Sequence, residues 1–218
     1  MNLVLGLCQR GFEVACKKHV NIAVREFQRY LQMRKCMQYI TMHQSVGLPN
    51  DARLFAPKYN NVYIYVLCHT AQINNEEYLE LNGPEKKIRD DVFVEWVKNF
   101  KADHVTLVLE TCHSEGINDL ERPTMPQDWT VINTCTKGQK SLFNGILNIG
   151  VFTGMLARII NLLKYPLFVL SPEAVVSQAN SMNPFEKVVC HGDKTKWIDL
   201  PIDRAARQRI QCRHLCSN

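Results

Sequence analysis

Three apolar segments in the middle of the chain predict β-strands that are buried on both faces. They are VYIYVLCH at 62–69, HVTLVLETC at 104–112 and WTVINTC at 129–135, and they are rich in β-branched and aromatic residues. Apolar positions at helical spacing predict helices at 21–34, 88–100 and 150–163. Because strands alternate with helices, we expect an α/β fold with a mostly parallel sheet and helices on both of its faces.

The start of the chain allows two assignments. The preferred one takes GFEVAC at 11–16 as a short strand, so that NLVLGLCQ at 2–9 becomes the tail of a helix. The other takes NLVLGL as the first strand, which crowds the elements that follow. Further along, glycine, proline and asparagine predict a loop at 46–61, and EEYLELNG at 76–83 predicts a small extended excursion. PLFVLS at 166–171 and KWIDLPI at 196–202 are candidates for further strands.

Composition limits the class of protein. The 218 residues are 46% hydrophobic and 22% charged, which fits one globular domain over 1–218 with a basic tail at about 204–218. The nine cysteines are odd in number and irregularly spaced, which indicates reduced thiols in a cytosolic or nuclear setting, and we expect a cytoplasmic protein. Arg158, Lys164 and Pro166 interrupt the most apolar stretch, so no membrane span is expected. The net charge of +5 comes without a nucleic-acid motif, so no nucleic-acid partner is expected.

Two residues that could do chemistry stand where two predicted strands end. Parallel α/β sheets place their sites at the carboxyl ends of the strands, and His69 and Cys112 occupy those positions. A cysteine nucleophile acts as thiolate, and a neighbouring base supplies that state. The small polar residues after Cys112 predict a turn whose backbone N–H groups could bind an oxyanion. The competing interpretation is that both residues merely finish strands.

A metal site is the weaker alternative. Cys190 and His191 could combine with Cys212, His214 and Cys216 to bind zinc. Their spacing is unlike the usual paired cysteine ligands of zinc sites. We therefore expect no metal and no cofactor.

The sequence motifs at the ends of these strands resemble those of the caspase-like cysteine peptidases. YVLCHTA and LVLETCHSEG are similar to metacaspase strands that end in Ser-Gly-His-Gly and Asp-x-Cys-His-Ser-Gly. Their separation is close to the roughly 50 residues between His and Cys in caspases. QRGFEV, LELNGPEKKIRDD and NIGVFTGMLARII also resemble family segments, so the resemblance covers about 3–202. It implies a three-layer sandwich, whose first strand would be missing in our preferred alignment.

The resemblance also implies roles for individual residues. Cys112 would be the nucleophile and His69 the base, and the backbone N–H groups of Thr70 and Cys112 would form the oxyanion hole. Glu110 matches the family position that lines the pocket for the residue before the scissile bond. A carboxylate there would favour a basic residue, whereas Arg10 nearby would make the pocket mixed and favour asparagine. The alternative for Glu110 is a structural carboxylate at the end of a strand.

The expected function is therefore a cysteine endopeptidase that cleaves after a basic residue. Its partners would be a protein or peptide substrate and, in an assembly, a second copy or another caspase-like chain. Cys68 and Thr70 flank His69 where the family usually has glycine on both sides. That departure motivates the second hypothesis, an inactive caspase-fold protein that binds or regulates a partner.

Overall fold

Six strands of the described residues form a central sheet that organises the chain. The computed structural model describes residues 1–112, 114, 128–135, 141, 143–162, 171–182 and 189–192. The strands in these ranges are β1 (Asn2–Cys8), β2 (Ile40–Val46), β3 (Lys58–Cys68), β4 (Thr70–Ile73), β5 (Glu76–Leu79), β6 (Ile88–Arg89), β7 (Lys101–Thr111), β8 (Asp128–Asn133), β9 (Phe143–Asn144), β10 (Ile149–Gly150) and β11 (Val189–Gly192). The helices there are α1 (Glu13–Met33), α2 (Asp90–Lys98), α3 (Val151–Leu162) and α4 (Pro172–Met182), with a 3-10 turn at Ala52–Leu54.

The sheet is parallel except at one edge. Within the described ranges its order is β11-β8-β7-β3-β1-β2, and of these six strands only β11 runs antiparallel to its neighbour. Three short strands, in the order β4-β5-β6, form a separate small sheet, and β9 and β10 form a hairpin. Parallel neighbours need helical or long crossovers, which α1 supplies between β1 and β2 and α2 supplies between β3 and β7.

Helices cover both faces of the sheet, and each face has its own hydrophobic core. On the three-helix face, residues of α1, α3 and α4 pack against alternate strand residues such as Val4, Tyr65 and Val108. On the α2 face, α2 packs against the other set, which includes Leu5 and Leu107. Strand side chains point alternately to opposite faces, so strands that are covered on both faces must be apolar at nearly every position. The expected three-layer α/β sandwich is therefore confirmed.

The preferred assignment of the start of the chain is wrong. NLVLGLC is a strand, β1, which lies between β2 and β3, and GFEV leads into α1 instead of forming a strand. All seven residues of β1 are buried, as a central strand requires. The short apolar run is ambiguous between strand and buried helix by pattern alone, and here pairing on both edges decides it. The first strand of the sandwich is present.

Most other elements match the sequence prediction, with shifted ends. The helix expected at 21–34 begins eight residues earlier, and the strands expected at 62–69, 104–112 and 129–135 appear as β3, β7 and β8. Helix α4 and strand β2 were not predicted, and β2 ends where the loop at 46–61 was expected to begin. Residues 166–170, KWIDLPI at 196–202 and the basic tail at 204–218 lie outside the described residues. Within the part of the chain that the structure describes, no helix has the length and hydropathy needed to cross a bilayer.

Candidate active site

His69 and Cys112 leave the sheet side by side. Cys68, the last residue of β3, is paired in register with Thr111, the last residue of β7. His69 and Cys112 are the next residues of the two chains. Neighbouring strands lie about 4.8 Å apart, so both residues start from adjacent points at the carboxyl edge of the sheet. The predicted placement of the two residues at one edge agrees with this register.

The chain around His69 is held by contacts from two segments, the stretch after β1 and the residue after β5. Its backbone N–H donates to Oε1 of Gln9 at 2.9 Å, and its carbonyl accepts from the N–H of Glu80 at 2.9 Å. The imidazole is exposed and packs edge-on against the ring of Phe12, with centroids 5.3 Å apart. The ring is therefore open to solvent on one side and restrained by an aromatic side chain on another.

Cys112 is half-buried and tied to the same neighbourhood. Its Sγ lies 4.0 Å from the carbonyl oxygen of Ser141. The hydroxyl of Thr70 donates to the carbonyl oxygen of Cys112 at 2.5 Å. This hydrogen bond joins the residue after His69 directly to Cys112. The oxyanion role of the backbone N–H groups of Thr70 and Cys112 stays a prediction.

The Glu110 carboxylate points into the protein core, whereas the family resemblance assigns it to the substrate pocket, and that pocket role stays a prediction. Glu110 lies two residues after Val108 in β7, so both side chains point to the three-helix face, where only 2% of Glu110 is exposed. Its two oxygens accept hydrogen bonds from Phe152, Thr153 and Tyr65. Burial raises the pKa of Glu110, while these hydrogen bonds oppose that rise. The structure favours the alternative interpretation, a structural carboxylate at a strand end.

Arg10 lies at the same edge of the sheet as His69. It follows β1, whose last residue Cys8 pairs with Leu67 of β3, and the intervening Gln9 contacts the backbone of His69. Arg10 is exposed, and among the described residues its guanidinium makes no ion pair. Arg10 is therefore at the surface while Glu110 is buried, and the mixed pocket of Arg10 and Glu110 stays a prediction.

Sequence reasoning missed three neighbours of the site. Gln9 and Phe12 reach His69 from the end of β1, and Phe143 of β9 packs against Phe12 with centroids 5.1 Å apart. Phe143 is 38% exposed, so part of this aromatic surface is open. The correct assignment of NLVLGLC as a strand would have placed Gln9 and Phe12 at the carboxyl edge with His69. Phe143 has no comparable signal in the sequence.

The metal alternative receives no support from the described ranges. Within them, no group of three or more His, Cys, Asp or Glu side chains is arranged to hold a metal ion. Of the residues considered for zinc, Cys212, His214 and Cys216 lie outside the described residues.

Comparison with known proteins identifies solved structures with a similar fold. No family model matches the sequence, and no curated protein matches it. Among solved structures, the crystal structure of the Drosophila initiator caspase Dronc is similar to the chain, with a TM-score of 0.53 and 7% sequence identity. The match covers 90% of this chain and 80% of that chain. The protein therefore has a caspase-like fold, and at this identity the likeness shows the fold alone.

Proposed function

We propose that this protein is a cysteine endopeptidase of the caspase type, with Cys112 as the nucleophile and His69 as the general base. The observation that carries the proposal is the register pair Cys68 and Thr111, which starts the two reactive residues from adjacent points of a caspase-like sheet. The neighbouring thiol of Cys68 is no competitor. It is 4% exposed, and burial raises its pKa, so it stays a protonated thiol.

The proposed reaction is acyl transfer in two steps. His69 takes the thiol proton as Cys112 Sγ attacks the scissile carbonyl carbon, and the imidazolium then protonates the amine that leaves. The C–N bond breaks and a thioester on Cys112 remains. His69 next takes a proton from water, whose oxygen attacks the thioester, and the proton returns to the departing sulfur. Backbone N–H groups of Thr70 and Cys112 are the proposed donors to the oxyanion in both steps.

The proposed substrate preference differs from the sequence prediction. A preference for a basic residue required the carboxylate of Glu110 in the pocket, and that carboxylate is buried. Arg10 is the predicted pocket residue that lies exposed at the edge of the site. A guanidinium pairs well with a carboxylate, so we propose cleavage after an acidic residue. Fluorogenic peptides that differ only in Asp, Asn or Arg at that position test it, and a preference for Arg would contradict it.

Labelling of Cys112 tests the peptidase proposal. A peptidyl electrophile, followed by peptide mapping, should modify Cys112 rapidly in the native chain and at least about a hundredfold more slowly in His69→Ala, since general-base catalysis contributes 10²–10⁴-fold. Cys36 is a half-buried free thiol and serves as the internal control. Its labelling should be slow and unaffected by His69→Ala. Equal labelling of Cys36 and Cys112 would sink the proposal.

The second candidate is an inactive caspase-fold protein that binds or regulates a partner. The observation in its favour is Thr70, whose side chain stands where the family usually has glycine and whose hydroxyl is used on the Cys112 carbonyl. Labelling of Cys112 that does not depend on His69 would support this candidate.

The cellular setting is also part of the proposal. Cys8, Cys16, Cys36, Cys68, Cys112 and Cys135 are free thiols in the structure. Free thiols at this density support a reducing compartment such as the cytoplasm. A protein or peptide is the proposed substrate, and a second copy or another caspase-like chain is the proposed partner.

A further inference from the structure

The Glu110 carboxylate caps a helix from outside that helix. Its Oε1 accepts from the backbone N–H of Phe152 at 2.8 Å and of Thr153 at 3.3 Å, in the first turn of α3. Its Oε2 accepts from the hydroxyls of Thr153 and Tyr65, each at 2.6 Å. The first N–H groups of a helix lack partners within the helix and favour a negative charge. A strand residue thus supplies the acceptors that a local capping residue would otherwise supply.

The hydrogen bonds continue from Thr153 into α1. Thr153 gives its one hydroxyl proton to Glu110, so at 2.8 Å it accepts from Nδ1–H of His19. Nε2 of His19 then has a free lone pair, which accepts from the hydroxyl of Tyr63 at 2.8 Å. Burial lowers the pKa of His19 to about 3, in agreement with this neutral tautomer.

This buried network reaches the end of β7 from inside, next to the proposed nucleophile. Glu110 precedes Cys112 by two residues. On the outer side, the carbonyl of Cys112 accepts from Thr70. The last residues of β7 are therefore held between two anchors, a carboxylate in the three-helix core and a hydroxyl at the edge of the site.

Gly150 shows how closely α3 approaches the carboxylate. A Cβ built on Gly150 would overlap the carboxylate carbon and both oxygens of Glu110. The same atom built on Gly154, one turn further along α3, would meet nothing within 4 Å. A residue with a side chain therefore does not fit at position 150, just before α3, while Glu110 keeps its hydrogen bonds.

We propose that Glu110 is a positioning residue for Cys112, acting through its hydrogen bonds to the start of α3. The inference rests on the proposed function. When the carboxylate is seated on Phe152 and Thr153, the end of β7 holds Cys112 Sγ in reach of the His69 ring. When it is displaced, the sulfur shifts and proton transfer to His69 slows, because a misplacement of about 1 Å can cost a reaction roughly a hundredfold.

The matched pair Gly150→Ala and Gly154→Ala tests this without removing any polar group. The measurement is the rate of Cys112 alkylation by iodoacetamide as a function of pH, followed by mass spectrometry, in variants that circular dichroism shows to be folded. We expect Gly150→Ala to lower the His69-dependent part of the rate about tenfold to a hundredfold. Gly154→Ala should stay within about twofold of the native chain, since alanine favours the helix.

A second pair covers the case in which Gly150→Ala does not fold. Thr153→Val removes the hydroxyl and keeps the shape, whereas Thr153→Ser keeps the hydroxyl. The alkylation rate of Thr153→Val should lose the His69-dependent part of its pH profile, whereas that of Thr153→Ser should keep it.

Two failures can be told apart. If His69→Ala does not change the alkylation profile of the native chain, the proposed function fails and the positioning role falls with it. If the native profile depends on His69 and stays unchanged in folded Gly150→Ala or Thr153→Val, only the positioning role is overturned, and Glu110 is then a structural helix cap.

Discussion

The two faces of the sheet bury different chemistry. On the α2 face, Phe100 is surrounded by the rings of Phe55, Trp96 and Tyr59 at centroid distances of 4.8, 5.3 and 6.4 Å. On the three-helix face, a carboxylate and an imidazole are joined by the hydroxyl of Thr153, and the imidazole stacks on the ring of Tyr65 at a centroid distance of 3.6 Å. Packing of rings is weakly directional, while hydrogen bonds in a low-dielectric core have defined partners and angles.

The two faces of the sheet therefore contribute to the structure in different ways. The α2 face provides burial, which tolerates small shifts of the side chains at little cost. The three-helix face fixes the position of α3 and of the last residues of β7, because a buried polar group that loses its partner costs about 1–3 kcal/mol. The three-helix face is therefore the one that fixes the position of the residues next to Cys112.

The largest effect is expected on the aromatic face. Phe100→Ala removes a fully buried ring and leaves a cavity, and it should lower the free energy of unfolding by about 3–5 kcal/mol in urea denaturation. Val92→Ala on the exposed side of α2 is the control, with an expected change within about 0.5 kcal/mol. A loss below about 1 kcal/mol for Phe100→Ala would show that this core collapses around the gap.

Acid should destabilise the protein through the polar face. The pKa of His19 falls from its ordinary 6.5 to about 3 because burial disfavours the imidazolium. Above pH 6.5 the ring is neutral in both states, and its contribution to stability is constant. Between pH 6.5 and 3 the unfolded chain takes up the proton first, so stability falls by roughly 1.4 kcal/mol per pH unit. Urea denaturation between pH 7 and about pH 4.5 should therefore show a loss of about 2–3 kcal/mol from this residue.

His19→Gln removes the titrating group and is the control for the acid effect. Its stability at pH 7 will be lower, because the hydrogen bonds to Tyr63 and Thr153 change. Its dependence on pH between 7 and 4.5 should nevertheless be shallower than that of the native chain. Parallel stability curves for the two proteins would contradict a neutral buried His19.

The smallest losses of stability are expected when one tyrosine hydroxyl is removed on each face of the sheet. Tyr65→Phe removes a donor to the buried Glu110 carboxylate and should cost about 1.5–3 kcal/mol, the range for hydrogen bonds to charged groups. Tyr59→Phe removes a donor to the carbonyl of Leu54 and should cost about 0.5–1.5 kcal/mol. Both residues are almost fully buried, so the comparison isolates the acceptor. An equal loss in the two variants would mean that the charge on Glu110 adds nothing.

The strands that carry the chemistry could be predicted from the sequence, because VYIYVL and VTLVL are runs of β-branched, aromatic and other apolar residues that are followed closely by polar groups. The start of the chain could not. NLVLGLC fits a buried helix and a buried strand equally well by composition, and only its pairing with β2 and β3 decides. Strand β2 was missed for a related reason. ITMHQSV lies at the edge of the sheet, has no fully buried residue and lacks a clean alternation.

The role of Glu110 shows where pattern reasoning stops. The sequence places it two residues before Cys112, and the family resemblance assigns that position to the substrate pocket. Its side chain turns inward because it shares the face of Val108, and its partner is a helix that begins 41 residues later. Such a long-range hydrogen bond leaves no periodic signal in the chain.

The position of β1 has a consequence for incomplete chains. Its seven buried residues carry hydrogen-bonding edges on both sides, and one of those edges is covered by β3, which begins at Lys58. A fragment that stops before that residue keeps β1, α1 and β2 but leaves an apolar strand with an open edge. Open apolar edges pair with other chains. Translation arrest or proteolysis in the segment before β3 should thus yield fragments that aggregate, whereas chains that extend beyond Cys68 close this edge themselves.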